Sequence, residues 1–135
     1  MEIGEEGRAG IVTEGRQGGH ALGREGEGLA RRFLEKKGYR VVTTGYRLFR
    51  GEIDIIAYDR DVLVFVEVKT RRDTDLGRPE EAVTPAKQRQ IRRIAQGYLM
   101  EKDLVESEIP CRFDVLAVMP APDGTFAVTH YENAF

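Results

Sequence analysis

Asp54, Glu67 and Lys69 stand where a strand would hold apolar side chains. They interrupt residues 51–71, a stretch otherwise dominated by Ile, Val, Phe and Tyr. That stretch reads as two strands joined by a tight turn at Asp59-Arg60-Asp61. Side chains alternate faces along a strand, so Leu63, Phe65, Glu67 and Lys69 share one face and Val64, Val66 and Val68 the other. With Arg60-Asp61 as a two-residue loop, position 59 pairs with 62 and, by continuation, 54 with 67. The two carboxylates then face each other across the hairpin, their roots about 5 Å apart. Like charges so placed repel, and a divalent cation bound by hard oxygen ligands would offset them. Lys69 would be a fixed positive charge beside that cation. The same residues also fit a surface hairpin with a solvated Asp54 and a Glu67–Lys69 pair, because charges in sheets are usually solvated.

Two helices must position this hairpin. Residues 22–37 carry Leu29, Ala30, Phe33 and Leu34 at helical spacing, and Gly38 is a natural stop. Glu27 borders that apolar stripe, three residues before Ala30 and seven before Leu34. Its carboxylate either points at the hairpin and joins Asp54 and Glu67, or is an acidic residue favoured near a helix start by the dipole. The glycines at 23, 26 and 28 make the first turns weak or closely packed. A second helix begins at Thr84, a plausible N-cap, with Pro85 in the first helical position. Ile91, Ile94, Ala95, Tyr98 and Leu99 form its buried stripe. Lys87 lies one turn before Ile91, where a cation opposes the dipole. It answers either to a phosphate or active-site carboxylate, or to nothing, with its stem packed and its head snorkelling outward.

The remaining elements are plainer. Residues 40–44 and 46–49 form one bent strand or two short ones, interrupted by Gly45. Residues 70–84 form a polar loop whose Arg71, Arg72 and Arg78 either clamp a backbone or simply face solvent. Residues 112–119 and 125–131 read as strands around a turn at Pro122-Asp123-Gly124. Asp114 is expected at an edge or facing solvent. Neither His20 nor His130 has a partner pattern, and neither is given a role. The order helix, three strands, helix, two strands implies an α/β sandwich with a mixed sheet flanked by helices.

With 135 residues the chain suits one domain and one modest core. Residues 1–20 hold six glycines and no apolar periodicity, and are expected to be a mobile tail preceding a domain over 21–135. The net charge of −2 conceals two basic blocks, 23–50 and 69–93, each with eight Lys or Arg. Basic blocks flanking a carboxylate cluster suit a polyanion whose phosphate must reach a metal, although wet helix faces are commonly basic too. No apolar run approaches a membrane span and no signal-peptide pattern opens the chain. Cys111 is the single cysteine, so no internal disulfide is possible, which fits the cytoplasm. It is expected at the edge of the core.

The ordered motifs Leu22-Gly-Arg-Glu-Gly-Glu27, Gly51-Glu-Ile-Asp54, Val64-Phe-Val-Glu67-Val-Lys69-Thr-Arg71, Thr84-Pro-Ala-Lys87-Gln and Cys111-Arg-Phe-Asp114 resemble the YraN family, also called UPF0102. Its members are small bacterial proteins assigned to the restriction-endonuclease-like superfamily. Asp54 with Glu67-Val68-Lys69 matches that superfamily's Asp and Glu-x-Lys core. Glu27 matches the helix glutamate of the archaeal Holliday-junction resolvases, which the domain also resembles. Gly45 stands where the family usually has asparagine. The resemblance implies a restriction-endonuclease-like domain and a Mg²⁺- or Mn²⁺-dependent DNA endonuclease. In that reading Asp54, Glu67 and the Val68 carbonyl ligate the metal, Lys69 orients a water, and Glu27 holds the metal's water shell or a second metal. Arg71, Arg72 and Lys87 bind flanking phosphates, and analogy with the resolvases implies a homodimer. A different class remains open: a non-catalytic nucleic-acid-binding or scaffold protein that retains the nuclease fold.

Overall fold

The hairpin forms as its alternation requires. Strands β3 (Gly51–Asp59) and β4 (Val62–Thr70) pair antiparallel from Asp59↔Val62 to Ile55↔Val66. Arg60 makes the turn with a φ of 59°. This computed structural model describes residues 8–12, 19–70, 83–105 and 107–135, with the backbone alone for 8–12 and 19–23. Arg71, Arg72 and Arg78 lie outside the described residues.

The other described elements are β1 (Arg8–Val12), α1 (Gly19–Lys36), β2 (Arg40–Leu48), α2 (Pro85–Glu101), β5 (Cys111–Pro120) and β6 (Phe126–Tyr131). One six-stranded sheet has the order β1-β6-β5-β4-β3-β2. Of its neighbouring pairs, β4 and β5 alone run parallel, which makes the sheet mixed. α2 lies in the connection between those two strands, because a parallel pair needs a long crossover. The expected α/β architecture is therefore present, with one addition. Residues 8–12, read as part of a mobile tail, pair with β6 along Arg8↔His130 to Val12↔Phe126. Their glycine-rich neighbourhood hides the strand, since edge pairing by backbone needs no apolar pattern.

Each face of the sheet is covered by one helix. Leu29, Ala30 and Leu34 of α1 pack with Ile55, Val64, Val66, Leu116 and Val118. On the other face the anticipated stripe Ile91, Ile94, Ala95, Tyr98 and Leu99 packs with Ile53, Ile56, Leu63 and Phe65. Thr84 caps α2 by accepting a hydrogen bond from the Lys87 N–H at 3.2 Å, with Pro85 behind it. Gly26 lets α1 approach β4 closely: a Cβ there would stand 2.1 Å from Thr70 Cγ2. Gly26 thus seats α1 on the end of β4. β2 is one strand, bent through Gly45 at a φ of 61°.

Asp114 departs from its expected exposed position. It is fully buried, and Arg112 Nε and Nη2 both donate to it at 2.9 Å. His130 Nε2 lies 2.7 Å away and the Asn133 N–H donates at 2.9 Å. Burial pushes the Asp114 carboxyl upward, but the hydrogen bonds from His130, Arg112 and Asn133 outweigh it and hold the group below its ordinary range. His130 is buried as well, with Lys37 Nζ 2.6 Å from its Nδ1. This polar knot ties β5, β6 and the end of α1 together, a structural role for Asp114 and His130.

Candidate metal centre

Where the β3–β4 ladder stops, the chemistry begins. The next step of the register would set Asp54 opposite Glu67. Instead Asp54 Oδ2 accepts a hydrogen bond from the Val68 N–H at 2.8 Å. The carboxylate therefore takes the place of a ladder partner and is fixed at the open end of the hairpin. α1, seated by Gly26, brings Glu27 to the same end. Carboxylate oxygens of Glu27, Glu52 and Asp54 all lie within 4.8 Å of one another.

Glu67 stands beside that trio, only 7% exposed. That burial excludes the solvated surface hairpin. Lys69 Nζ is 3.7 Å from Glu67 Oε2, its side chain partly open to solvent. Burial, then the charge of Asp54, pushes the Glu67 carboxyl up to about 7, against the opposing pull of Lys87 and Lys69. Asp54 is raised by burial and by Glu52, although the Val68 N–H, Lys87 and Lys69 all favour its charge. Glu27 is raised by partial burial and then by Asp54 and Glu52. The causes agree on one point. Lys69 and Lys87 favour the charged forms of Asp54 and Glu67, yet burial and the neighbouring carboxylates outweigh them.

Lys87 proves to be part of this field. It sits in the first turn of α2, where the dipole disfavours it, and its charge acts on both Asp54 and Glu67. Glu52 is the site residue that the sequence reading missed. Its signal was the spacing: Glu52 and Asp54 are two apart on one strand, hence on one face. It is placed by pairing with Arg47 on β2, where Arg47 Nη2 lies 3.4 Å from Glu52 Oε1. A Cβ on Gly45 would lie 3.4 Å from Glu52 Oε2, so the two positions are neighbours across the β2–β3 pair.

As a donor set, the cluster suits a hard divalent cation. It offers only carboxylate oxygens, held close together, which is what Mg²⁺ or Mn²⁺ selects. Among the described residues no cysteine or histidine belongs to it.

Residues 26–118 match the sequence profile described as "Uncharacterised protein family UPF0102". A UPF0102 protein of Symbiobacterium thermophilum is 50% identical over 114 residues, 84% of this chain and 95% of the relative. One from Chlorobium limicola is 46% identical over 121 residues, covering 86% and 92%. One from Geobacter sulfurreducens is 43% identical over 124 residues, covering 92% and 95%.

Proposed function

The chain belongs to the uncharacterised protein family UPF0102, and on that premise we propose that it is a Mg²⁺- or Mn²⁺-dependent endonuclease that hydrolyses DNA phosphodiester bonds, branched DNA among its substrates. The observation that carries this reading is the buried Glu67, raised to about 7, beside Asp54 and Lys69 at the end of one hairpin. A purely structural pair would gain nothing from that crowding.

Asp54, Glu67, Glu27 and Glu52 are the carboxylates that would hold the cation. Held there, Mg²⁺ or Mn²⁺ would supply Lewis acidity to the scissile phosphate and would lower the pKa of a bound water. The chain's own residues do the rest. The Val68 N–H fixes the rotamer of Asp54, so that carboxylate is pre-set rather than searching. Lys69, anchored by Glu67, orients the attacking water and stabilises charge that develops on the phosphate. Lys87 adds a fixed positive field from the start of α2 and, with Arg71 and Arg72, would hold flanking phosphates, which position DNA without reading its sequence. These basic groups and the carboxylate cluster divide the labour between the polyanion and its metal.

The test is incubation of pure protein with branched, single-stranded and duplex DNA, each with Mn²⁺ and with EDTA. We expect cleavage products only with Mn²⁺, and most from the branched substrate. Metal-independent binding of all three without any product would favour the non-catalytic scaffold.

A further inference from the structure

Glu52 serves two masters. One carboxylate oxygen meets Arg47 at 3.4 Å, while the group also belongs to the trio with Glu27 and Asp54. Arg47 and Glu52 are direct cross-strand partners in the β2–β3 ladder. The Arg47 side chain is 80% exposed, so its guanidinium is anchored at one point and is otherwise in water. A pair this exposed is weak, and releasing it costs little. A guanidinium at the rim of a carboxylate cluster is also well shaped to grip a phosphate, which it can do with two parallel N–H donors.

We propose that Arg47 is a metal-coupled phosphate clamp: it neutralises Glu52 when the cluster holds no cation, and turns to a DNA phosphate when a cation claims Glu52. This rests on the metal-centre reading above and adds regulation to it. A cation seated among the cluster oxygens draws on the negative charge of Glu52. The hold on Arg47 then weakens, and the freed guanidinium faces solvent beside the site where a phosphate must lie. Without the cation, Glu52 competes with any phosphate for Arg47, and the uncompensated carboxylates repel the DNA backbone. Cation and DNA therefore bind with positive coupling, and reciprocity requires that DNA also tighten the cation. Arg47 is a positioning residue here, because it addresses the backbone and not the scissile bond.

The experiment uses Ca²⁺ as a hard, oxygen-seeking probe cation and a fluorescein-labelled DNA junction, with gels confirming that the DNA stays intact. Anisotropy gives Kd for wild type, Arg47→Ala and Arg47→Lys in EDTA and in saturating Ca²⁺, at fixed ionic strength. Position 47 is exposed, so both variants should fold, and melting curves check this. For wild type we expect Ca²⁺ to tighten DNA binding on the order of 10-fold. Arg47→Ala should weaken binding only slightly in EDTA, where an unmasked Glu52 adds a little repulsion, yet lose most of the gain in Ca²⁺, with Arg47→Lys intermediate. An equal weakening of Arg47→Ala in both conditions would overturn the proposal by making Arg47 a permanent phosphate contact. No weakening in either would overturn it by leaving Arg47 a hairpin partner only. A parallel melt of wild type with Ca²⁺ separates the two levels of the argument. If Ca²⁺ fails to stabilise the protein, the metal-centre reading falls; if Ca²⁺ stabilises it but Arg47 carries no coupling, only the clamp falls.

Discussion

Glu67→Gln should make the metal-free protein more stable at alkaline pH. The Glu67 carboxyl is lifted from 4.5 to about 7 in the folded chain by burial and by Asp54. Between those values the folded state keeps a proton that the unfolded state has lost. Stability must then fall as pH rises through that window, and the loss is complete above about 7. At about 1.4 kcal/mol per pH unit, ionised Glu67 costs roughly 3 kcal/mol at pH 8. Glutamine keeps the shape without the charge, at the expense of the partly exposed contact with Lys69. For a chain of this size each kcal/mol moves Tm by about 3–5 °C. In EDTA at pH 8 the variant should therefore melt several degrees above wild type. The gap should close as pH is lowered towards 5, where the wild-type carboxyl regains its proton. Saturating Mn²⁺ should reverse the order, because only wild type keeps the full ligand set. Thermal melts from pH 5 to 8, in EDTA and in Mn²⁺, give the answer. A variant no more stable than wild type at pH 8, or a gap independent of pH, would refute the claim that Glu67 is strained in the absence of a cation.

Three further outcomes are expected, the first two from the geometry and the last from the resemblance to the resolvases. Asp54→Asn can keep an oxygen on the Val68 N–H while removing a charge, so in EDTA its Tm should equal or exceed that of wild type. Asp54→Ala strands that N–H and should lose about 1–3 kcal/mol, and neither variant should respond normally to a Mn²⁺ titration. Asp114→Ala leaves Arg112 and His130 without their shared carboxylate and should destabilise by about 3–5 kcal/mol with or without metal, measurable by denaturant unfolding. Light scattering should report a dimer in solution with DNA; a 15.2 kDa species at every concentration, with and without DNA, would count against it.

The hairpin was readable because its information is local. Alternation and the turn at Arg60 bring Asp54 and Glu67 to the same end of the hairpin, although the ladder stops at Ile55↔Val66 before the two pair directly. The α2 stripe and the Thr84 cap are local in the same sense. Glu27 required a tertiary fact, the close approach of Gly26 to Thr70, which helical spacing only hints at. Glu52 was passed over because its partner, Arg47, sits on a strand whose bend at Gly45 decides the geometry. That backbone has a φ of 61°, which glycine adopts without steric cost. Asp114, Arg112, His130 and Lys37 were opaque for a simpler reason. Their contacts join elements up to 93 positions apart, and no periodicity along the chain encodes such a pairing.

The most direct measurement is cleavage of a labelled DNA junction by wild type, Glu67→Gln and Lys69→Ala, purified identically and shown to be folded. The account predicts products from wild type with Mn²⁺ or Mg²⁺, none in EDTA, and none from either variant under any condition. Full cleavage by Glu67→Gln, or metal-independent cleavage by wild type, would contradict it.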